Sequence, residues 1–461
     1  MAFGVARLSR RRLIGVGVMF GAGALLAACQ PAATPAPAKP AEPAKAAEKP
    51  AEKPAEPKPA AQAPAAGAGS KILLRLNGID PPGQTFANDF IAKYNQDKKV
   101  SVEIDYTDWA SSFQKITTGI AGGTAPDIFI GGGLWTPVMA DKGGSLELDS
   151  YVKGMKDWED WYDVARKDVA WKGKIYAIPY RMNSRGNIIY RKSLFQKAGL
   201  DPAKPPQNWK DALEMAAKLT QKEGDKYLVA GWHIVFNPTD STQQYEDALF
   251  QMGGSYLNEE RTAPTNNTPE GEAALQFWVD FAEKGILPRQ GMDSGVPNLN
   301  AYTAGKIALY PGWPQDMLNT KLNAPQVWDD TLTASPLMQK IRSYQIYVDK
   351  YFIFKKTKVA DQSWELVNAL TSPEVNNNLG IGGTWGLPAR KASESAEIFK
   401  DSRMKVFVEN VKYGRPRQVV PQHFDVQPAM GRHVEAAFKG AKSVKQALKD
   451  MDEEVTKILK G

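Results

Sequence analysis

From residue 70 onward the apolar positions switch repeatedly between two periods. Ile72-Leu73-Leu74-Arg75-Leu76 is a short apolar run, closed by Asn77-Gly78 and Pro81-Pro82-Gly83. Phe86, Phe90, Ile91 and Tyr94 then recur at helical spacing, which predicts a helix over 85–95. Residues 100–106 alternate apolar and polar positions and read as a strand, followed by a helix over 111–119. Ile128-Phe129-Ile130, behind Ala125-Pro126-Asp127, reads as a buried strand, and Gly131-Gly132-Gly133 opens a helix toward Ala140. The second half repeats the theme. Strands are predicted at 174–180, 188–190, 307–310 and 351–354. Helices are predicted at 209–221, 242–252, 269–283, 360–371, 373–379 and 443–459. Strands alternating with helices imply an α/β fold with parallel units. Residues 71–461 are too many for one core and suit two lobes, with the chain crossing between them more than once. No fixed-period repeat occurs, which excludes a solenoid or propeller.

The pattern before residue 70 is different. Arg7, Arg10, Arg11 and Arg12 precede an apolar stretch over 13–28, too short and glycine-rich to span a bilayer, and the stretch ends at Cys29, the single cysteine. Residues 1–28 therefore read as a signal peptide. Leu26-Ala27-Ala28-Cys29 resembles the bacterial lipobox, which implies that Cys29 is lipidated and becomes the mature N-terminus. Ser9-Arg10-Arg11-Arg12-Leu13-Ile14 resembles a twin-arginine export signal, although general secretory leaders share a basic start and both routes stay open. With no second cysteine, no disulfide can form within the chain. Residues 29–70 are almost entirely Ala, Pro, Lys, Glu and Gln, too poor in apolar surface to offset the entropy of folding. They read as a disordered stalk of up to ~100 Å at polyproline II rise.

Charge changes little once located. Of the net +7, the leader arginines carry four and the stalk one, which leaves +2 on residues 71–461. No clustered basic face emerges, so nucleic acid is excluded as a partner.

Several stretches in order resemble extracellular solute-binding protein family 1, the family that includes maltose-binding protein. They are Ala121-Gly122-Gly123-Thr124-Ala125-Pro126-Asp127, Gly173-Lys174-Ile175-Tyr176-Ala177-Ile178-Pro179 and Pro205-Pro206-Gln207-Asn208-Trp209. Residues 187–200 join them, with Arg191 where the family has Asn, as do residues 304–309 with Trp313 following. Thr371-Ser372-Pro373-Glu374 and Gly386-Leu387-Pro388-Ala389-Arg390 complete the set. The resemblance implies a two-lobed periplasmic-binding-protein fold of type II, the Venus-flytrap arrangement, with a ligand cleft between lobes. One lobe would comprise 71–181 with about 347–390, the other 182–346 with about 391–461. It further implies a monomeric lipoprotein outside the cytoplasm, binding a sugar or oligosaccharide and delivering it to the permease subunits of an ABC transporter, with no cofactor and no metal.

Sugar recognition needs aromatic faces for pyranose C–H groups and placed polar groups for hydroxyls. Among twelve tryptophans, Trp109, Trp135, Trp313 and Trp385 follow strands or sit beside glycines and are the loop candidates. Trp313 also matches the family's cleft tryptophan. Trp232 opens a long loop, and Phe424 is a further stacking candidate. Trp209, Trp278 and Trp364 sit at core-like helical spacing, while Trp158, Trp161 and Trp171 read as a lobe surface. Polar candidates are Asn77, Asp80 and Asp108 after the first strands, and Arg181, Asn183 and Arg185 near the first crossing. Arginine offers a rigid fork to adjacent hydroxyls. Asp127, at a strand start, reads as structural.

Two other classes stay open. Polyamine and metal-ion binders share the fold class. A secreted carbohydrate-active enzyme would need two facing carboxylates, and nothing singles out a pair. No Gly-x-Ser-x-Gly elbow, Walker loop or His-Glu-x-x-His is present. The pairs His423-x-Asp425 and His433-x-Glu435 read as surface residues rather than metal ligands.

Overall fold

A computed structural model describes residues 70–461 other than Asn298. The leader, Cys29 and the stalk up to residue 69 lie outside the described residues.

The first sheet begins as predicted. Lys71–Asn77 pairs in parallel with Ser101–Thr107 on one side and Ile128–Gly131 on the other. Helices Pro81–Lys98 and Trp109–Gly122 make the connections, and Trp135–Asp141 follows the third strand. Strands covered on both faces must be apolar along their length, and Ile72, Leu74, Leu76, Ile128, Phe129 and Ile130 are fully buried. Asp127 ties the strand ends together. Its Oδ2 accepts from the Leu73 amide at 2.9 Å and its Oδ1 from the Thr357 hydroxyl at 2.5 Å.

Beyond Ile128–Gly131 the sheet turns antiparallel, adding Tyr344–Ile353, Ile178–Ser184 and Leu387–Pro388 in that order. Tyr344–Ile353 is the long element of the fold. Its C-terminal part, Lys350–Ile353, pairs with Ile128–Gly131, whereas its N-terminal Tyr344–Ile346 pairs with Gly414–Pro416. It therefore carries the chain from one lobe to the other alongside Ile178–Ser184, and a β-bulge between Asp349 and Lys350 marks the passage. The sequence pattern predicts only 351–354 as strand, because Gln345, Asp349 and Lys350 interrupt the apolar run.

The second lobe departs from the parallel expectation. Its sheet has three short antiparallel strands, ordered Leu309–Pro311, Ile188–Arg191 and Thr331–Ala334. Long helical excursions separate these strands in sequence, and antiparallel pairing accepts them without a βαβ crossover. The bulk of the lobe is helical: Pro238–Gln251, Pro269–Glu283, His423–Phe438 and Val444–Lys460 pack on one another. His423–Phe438 escapes the sequence reading because Pro428 lies inside it, where a proline ordinarily marks a helix end.

Trp232, Phe277, Trp278 and Phe281 form an aromatic core beside Trp209 in this lobe, with Trp209 and Phe277 stacked at 4.4 Å. Trp161 corrects the surface reading of its stretch: it is fully buried in the first lobe, with the Arg390 guanidinium 4.2 Å above its ring.

Pro238–Gln251 is buried from Ser241 to Gln251 although seven of those eleven residues are polar or charged. Each buried charge needs a partner. Glu246 meets Arg417 in a bidentate pair at 2.6 and 2.7 Å, both side chains essentially inaccessible. Removing one member strands the other's charge, at a cost of about 3–5 kcal/mol. Arg417→Ala is accordingly expected to lower the urea unfolding midpoint sharply with an unchanged slope; a variant as stable as the parent would contradict this role.

Candidate ligand cleft

A cavity of about 530 Å³ lies between the lobes, floored by the crossing strands. The first lobe contributes Trp109, Gly132, Gly133 and Trp135. Trp109 starts the helix that Asp108 caps, the Asp108 carboxylate accepting from the Ser111 amide at 2.8 Å. The indole of Trp109 then lies flat over Gly78, where a Cβ would fall 2.1 Å from its Nε1. Gly78 also holds φ at +57°, so this position combines a left-handed backbone with a close approach. Trp135 is buried, its ring edge-on to Phe113 at 5.1 Å.

The crossing strands supply Arg181, Asn183, Tyr347 and Asp349. Arg181 Nε donates to Asp349 Oδ2 at 2.8 Å, and both residues are buried. Arg181 Nη1 has no hydrogen-bond partner among the described residues. Tyr347 faces Trp313, centroids 5.2 Å apart.

The second lobe brings Asp240, Gln243, Trp313 and Gln315. Trp313 precedes helix Pro314–Asn323, held by its backbone N–H donating to Asp316 Oδ2 at 3.0 Å. Arg185 lies 4.8 Å from the Trp313 ring centroid and pairs with Asp240 at 2.5 Å. Gln243 is buried and its Oε1 has no partner among the described residues. Gln315 reaches across to the first lobe, its Nε2 3.4 Å from Asp80 Oδ2. Burial pushes the Asp80 carboxyl up, against the opposing pull of the Arg181 charge and of Gln315.

Of the residues singled out from sequence, Trp109, Trp135, Trp313, Arg181 and Asn183 therefore meet around one cavity, with Asp80 at its edge. The others lie elsewhere. Asn77 is fully buried and donates to the Ile130 carbonyl at 2.7 Å, joining two strands. Asp108 is the exposed helix cap. Trp232 is fully buried and stacks on Phe281 at 4.6 Å. Trp385 is buried edge-on to Trp328 at 5.6 Å. The face of Phe424 is taken by Phe113, stacked at 3.7 Å. Tyr347, Asp349, Asp240, Gln243 and Gln315 escape the sequence reading. Their one signal is polarity at helix and strand positions that a core would otherwise fill.

Residues 89–406 match the family described as bacterial extracellular solute-binding protein. The chain belongs to that family. Membership places the protein outside the cytoplasm, among binding proteins. The maltotriose-binding protein of Pyrococcus abyssi is 22% identical over 78% of this chain and 76% of its own length. The sugar-binding protein MalE of Xanthomonas citri superposes with a TM-score of 0.74 over 85% of this chain and 98% of MalE, at 20% identity. The cyclic α-maltosyl-1,6-maltose binding protein of Arthrobacter globiformis gives 0.73 over 85% and 99%, at 21% identity. These superpositions establish the two-lobed fold, and the cavity of this solute-binding protein lies between its lobes.

Two measurable consequences follow from the geometry. A side chain at Gly78 strains the backbone by about 1–2 kcal/mol and displaces the Trp109 indole. Gly78→Ala is expected to lower stability by that amount and to alter the near-ultraviolet circular dichroism; an unchanged spectrum would place Trp109 elsewhere. His233, behind the cleft and edge-on to Tyr310 at 5.6 Å, is pushed down to about 4, by burial first and then by the Arg185 charge. Between pH 6.5 and 4 the unfolded chain then binds the extra proton, so stability falls as pH drops through this window. His233→Asn is expected to reduce the acid sensitivity of the unfolding free energy between pH 7 and 4.5 by roughly 2 kcal/mol. An identical pH dependence in the two proteins would refute the assignment.

Proposed function

We propose that this solute-binding protein captures a sugar or short oligosaccharide in the interlobe cleft and delivers it to the permease subunits of an ABC importer. The observation that carries the reading is the make-up of the cavity. Aromatic faces from both lobes, Trp109 and Trp135 opposite Trp313, surround buried polar atoms that the protein itself leaves unpartnered, Arg181 Nη1 and Gln243 Oε1. An unsatisfied buried donor and acceptor cost free energy. A hydroxylated ring satisfies both while its C–H faces cover the indoles. The names of the relatives, a maltotriose-binding and two sugar-binding proteins, support the same class.

Binding without turnover follows from how the cavity carboxylates are held. Asp349 is paired with Arg181 and Asp240 with Arg185. Asp316 accepts from the Trp313 amide and the Tyr310 hydroxyl. These three are engaged within the protein, which supports binding over turnover; Asp80 at the cavity edge, met by Gln315 at 3.4 Å, is the remaining carboxyl nearby. Closure of the lobes on the ligand supplies the signal that a transporter reads. The reading further takes residues 1–28 as the export leader, Cys29 as the lipidated anchor and the following stalk as a spacer. The lobes divide near residues 181 and 347 and again near 390.

The test is a thermal-shift screen of the purified protein against sugars, oligosaccharides, polyamines and amino acids. A sugar well above its Kd is expected to raise Tm by a few degrees and to be recovered unchanged. Trp313→Ala is expected to weaken its binding by ~30-fold, the scale of a central aromatic anchor. Stabilisation by polyamines or amino acids alone would overturn the sugar assignment, and conversion of the sugar would overturn the transport role.

A further inference from the structure

A depression of about 530 Å³ also spans the two lobes, with Trp171 from the first and Arg261, Pro421 and Gln422 from the second. Its tryptophan is placed as deliberately as those of the main cavity. Trp171 Nε1 donates to Asp141 at 2.9 Å, and the charged ends of Lys172 and Arg261 lie 5.4 and 5.8 Å from its ring centroid. Asp141 ends the seven-residue helix that Trp135 begins. One rigid helix of about 10 Å, at 1.5 Å per residue, thus fixes the distance between the tryptophan of the main cavity and the partner of Trp171.

What stands between the chambers is a pair of rings from opposite lobes. Phe113, in helix Trp109–Gly122, is edge-on to Trp135 on the main-cavity side. Phe424, two residues beyond Gln422, stacks face to face with Phe113 at 3.7 Å and 23°. Each ring covers one face of the other, and the pair runs from Trp135 in the first lobe to the segment just after Pro421 and Gln422 in the second.

We propose that the Phe113–Phe424 stack is the end wall of the ligand cleft and selects short sugars over long ones, the chamber around Trp171 being what a longer chain reaches when the wall is removed. The inference rests on the sugar reading above. Both rings are half-buried at the border of the smaller core cluster, so truncating either one opens the wall at its partly exposed edge. The two lobes provide independent ways of doing it.

The experiment is a calorimetric titration of the full chain with a series of homologous oligosaccharides of increasing length, drawn from the sugar class that stabilises it. The parent protein is expected to gain nothing from units added beyond the first few. Phe424→Ala is expected to bind the longer members at least tenfold more tightly than the parent does, with the shortest ligand changed by no more than about threefold; Phe113→Ala, which also removes the ring beside Trp135, is expected to raise the ratio of long-chain to short-chain affinity by a similar factor. Trp171→Ala in the Phe424→Ala background is expected to abolish that gain. An unchanged length profile in both variants, or an equal loss at every length, would overturn the wall and leave the sugar reading intact. So would a parent whose affinity already climbs with each added unit. A parent that binds no sugar would overturn both.

Discussion

The structure turns on a ten-residue strand, Tyr344–Ile353, that is buried along its whole length while carrying Gln345, Asp349 and Lys350. Buried polar groups must be partnered, and the partners of these three belong to different parts of the molecule. Gln345 is tied to the second lobe. Its amide N–H donates to Asp247 at 2.7 Å and its side chain to the Gln243 carbonyl at 2.6 Å, which fastens the strand to helix Pro238–Gln251 of the second lobe. Asp349 accepts from Arg181 on the neighbouring crossing strand. Lys350 donates to Thr136 at 3.0 Å and pairs with Asp168, both in the first lobe. One strand thereby sets the floor of the cleft and the starting points of both walls. A hydrophobic strand of the same length would pack as well and would place none of these elements.

The walls are built differently from the floor. Their aromatic rings are positioned by what lies behind them: Gly78 and Gly132 under Trp109, Phe113 beside Trp135, Arg185 beside Trp313. Rings held in place in this way lose little entropy on binding. Several contacts join the lobes directly. They include Gln315 with Asp80, Phe113 with Phe424 and Arg261 with Trp171.

The expectations drawn from periodicity succeeded where local chemistry and tertiary environment agree. The three parallel strands and their helices, the core roles of Trp209 and Trp278, and the amphipathic C-terminal helix all depend on an apolar stripe at one period. They failed where burial was polar. Gln345 to Lys350 look like the edge of a strand, and Gln243 to Asp247 like an exposed helix, until their partners from distant segments are in place. Among the candidate site residues the same division holds. Trp109, Trp135 and Trp313 follow strands and reach the cleft. Trp232 and Trp385 sit beside glycines and Phe424 is a further stacking candidate, but neighbours far away in sequence, Phe281, Trp328 and Phe113, claim their rings.

By itself the sequence determined the α/β class of the first lobe, the family and three of the four aromatic residues that line the cavity, because these are properties of short stretches and their order. It could not determine that the second lobe's sheet is antiparallel, which of twelve tryptophans face one another, or that Arg181 and Gln243 each keep a polar atom unpartnered. Those depend on pairings between residues separated by up to several hundred positions. A side chain's face, its partner and its freedom to meet a ligand are settled only when the lobes have packed.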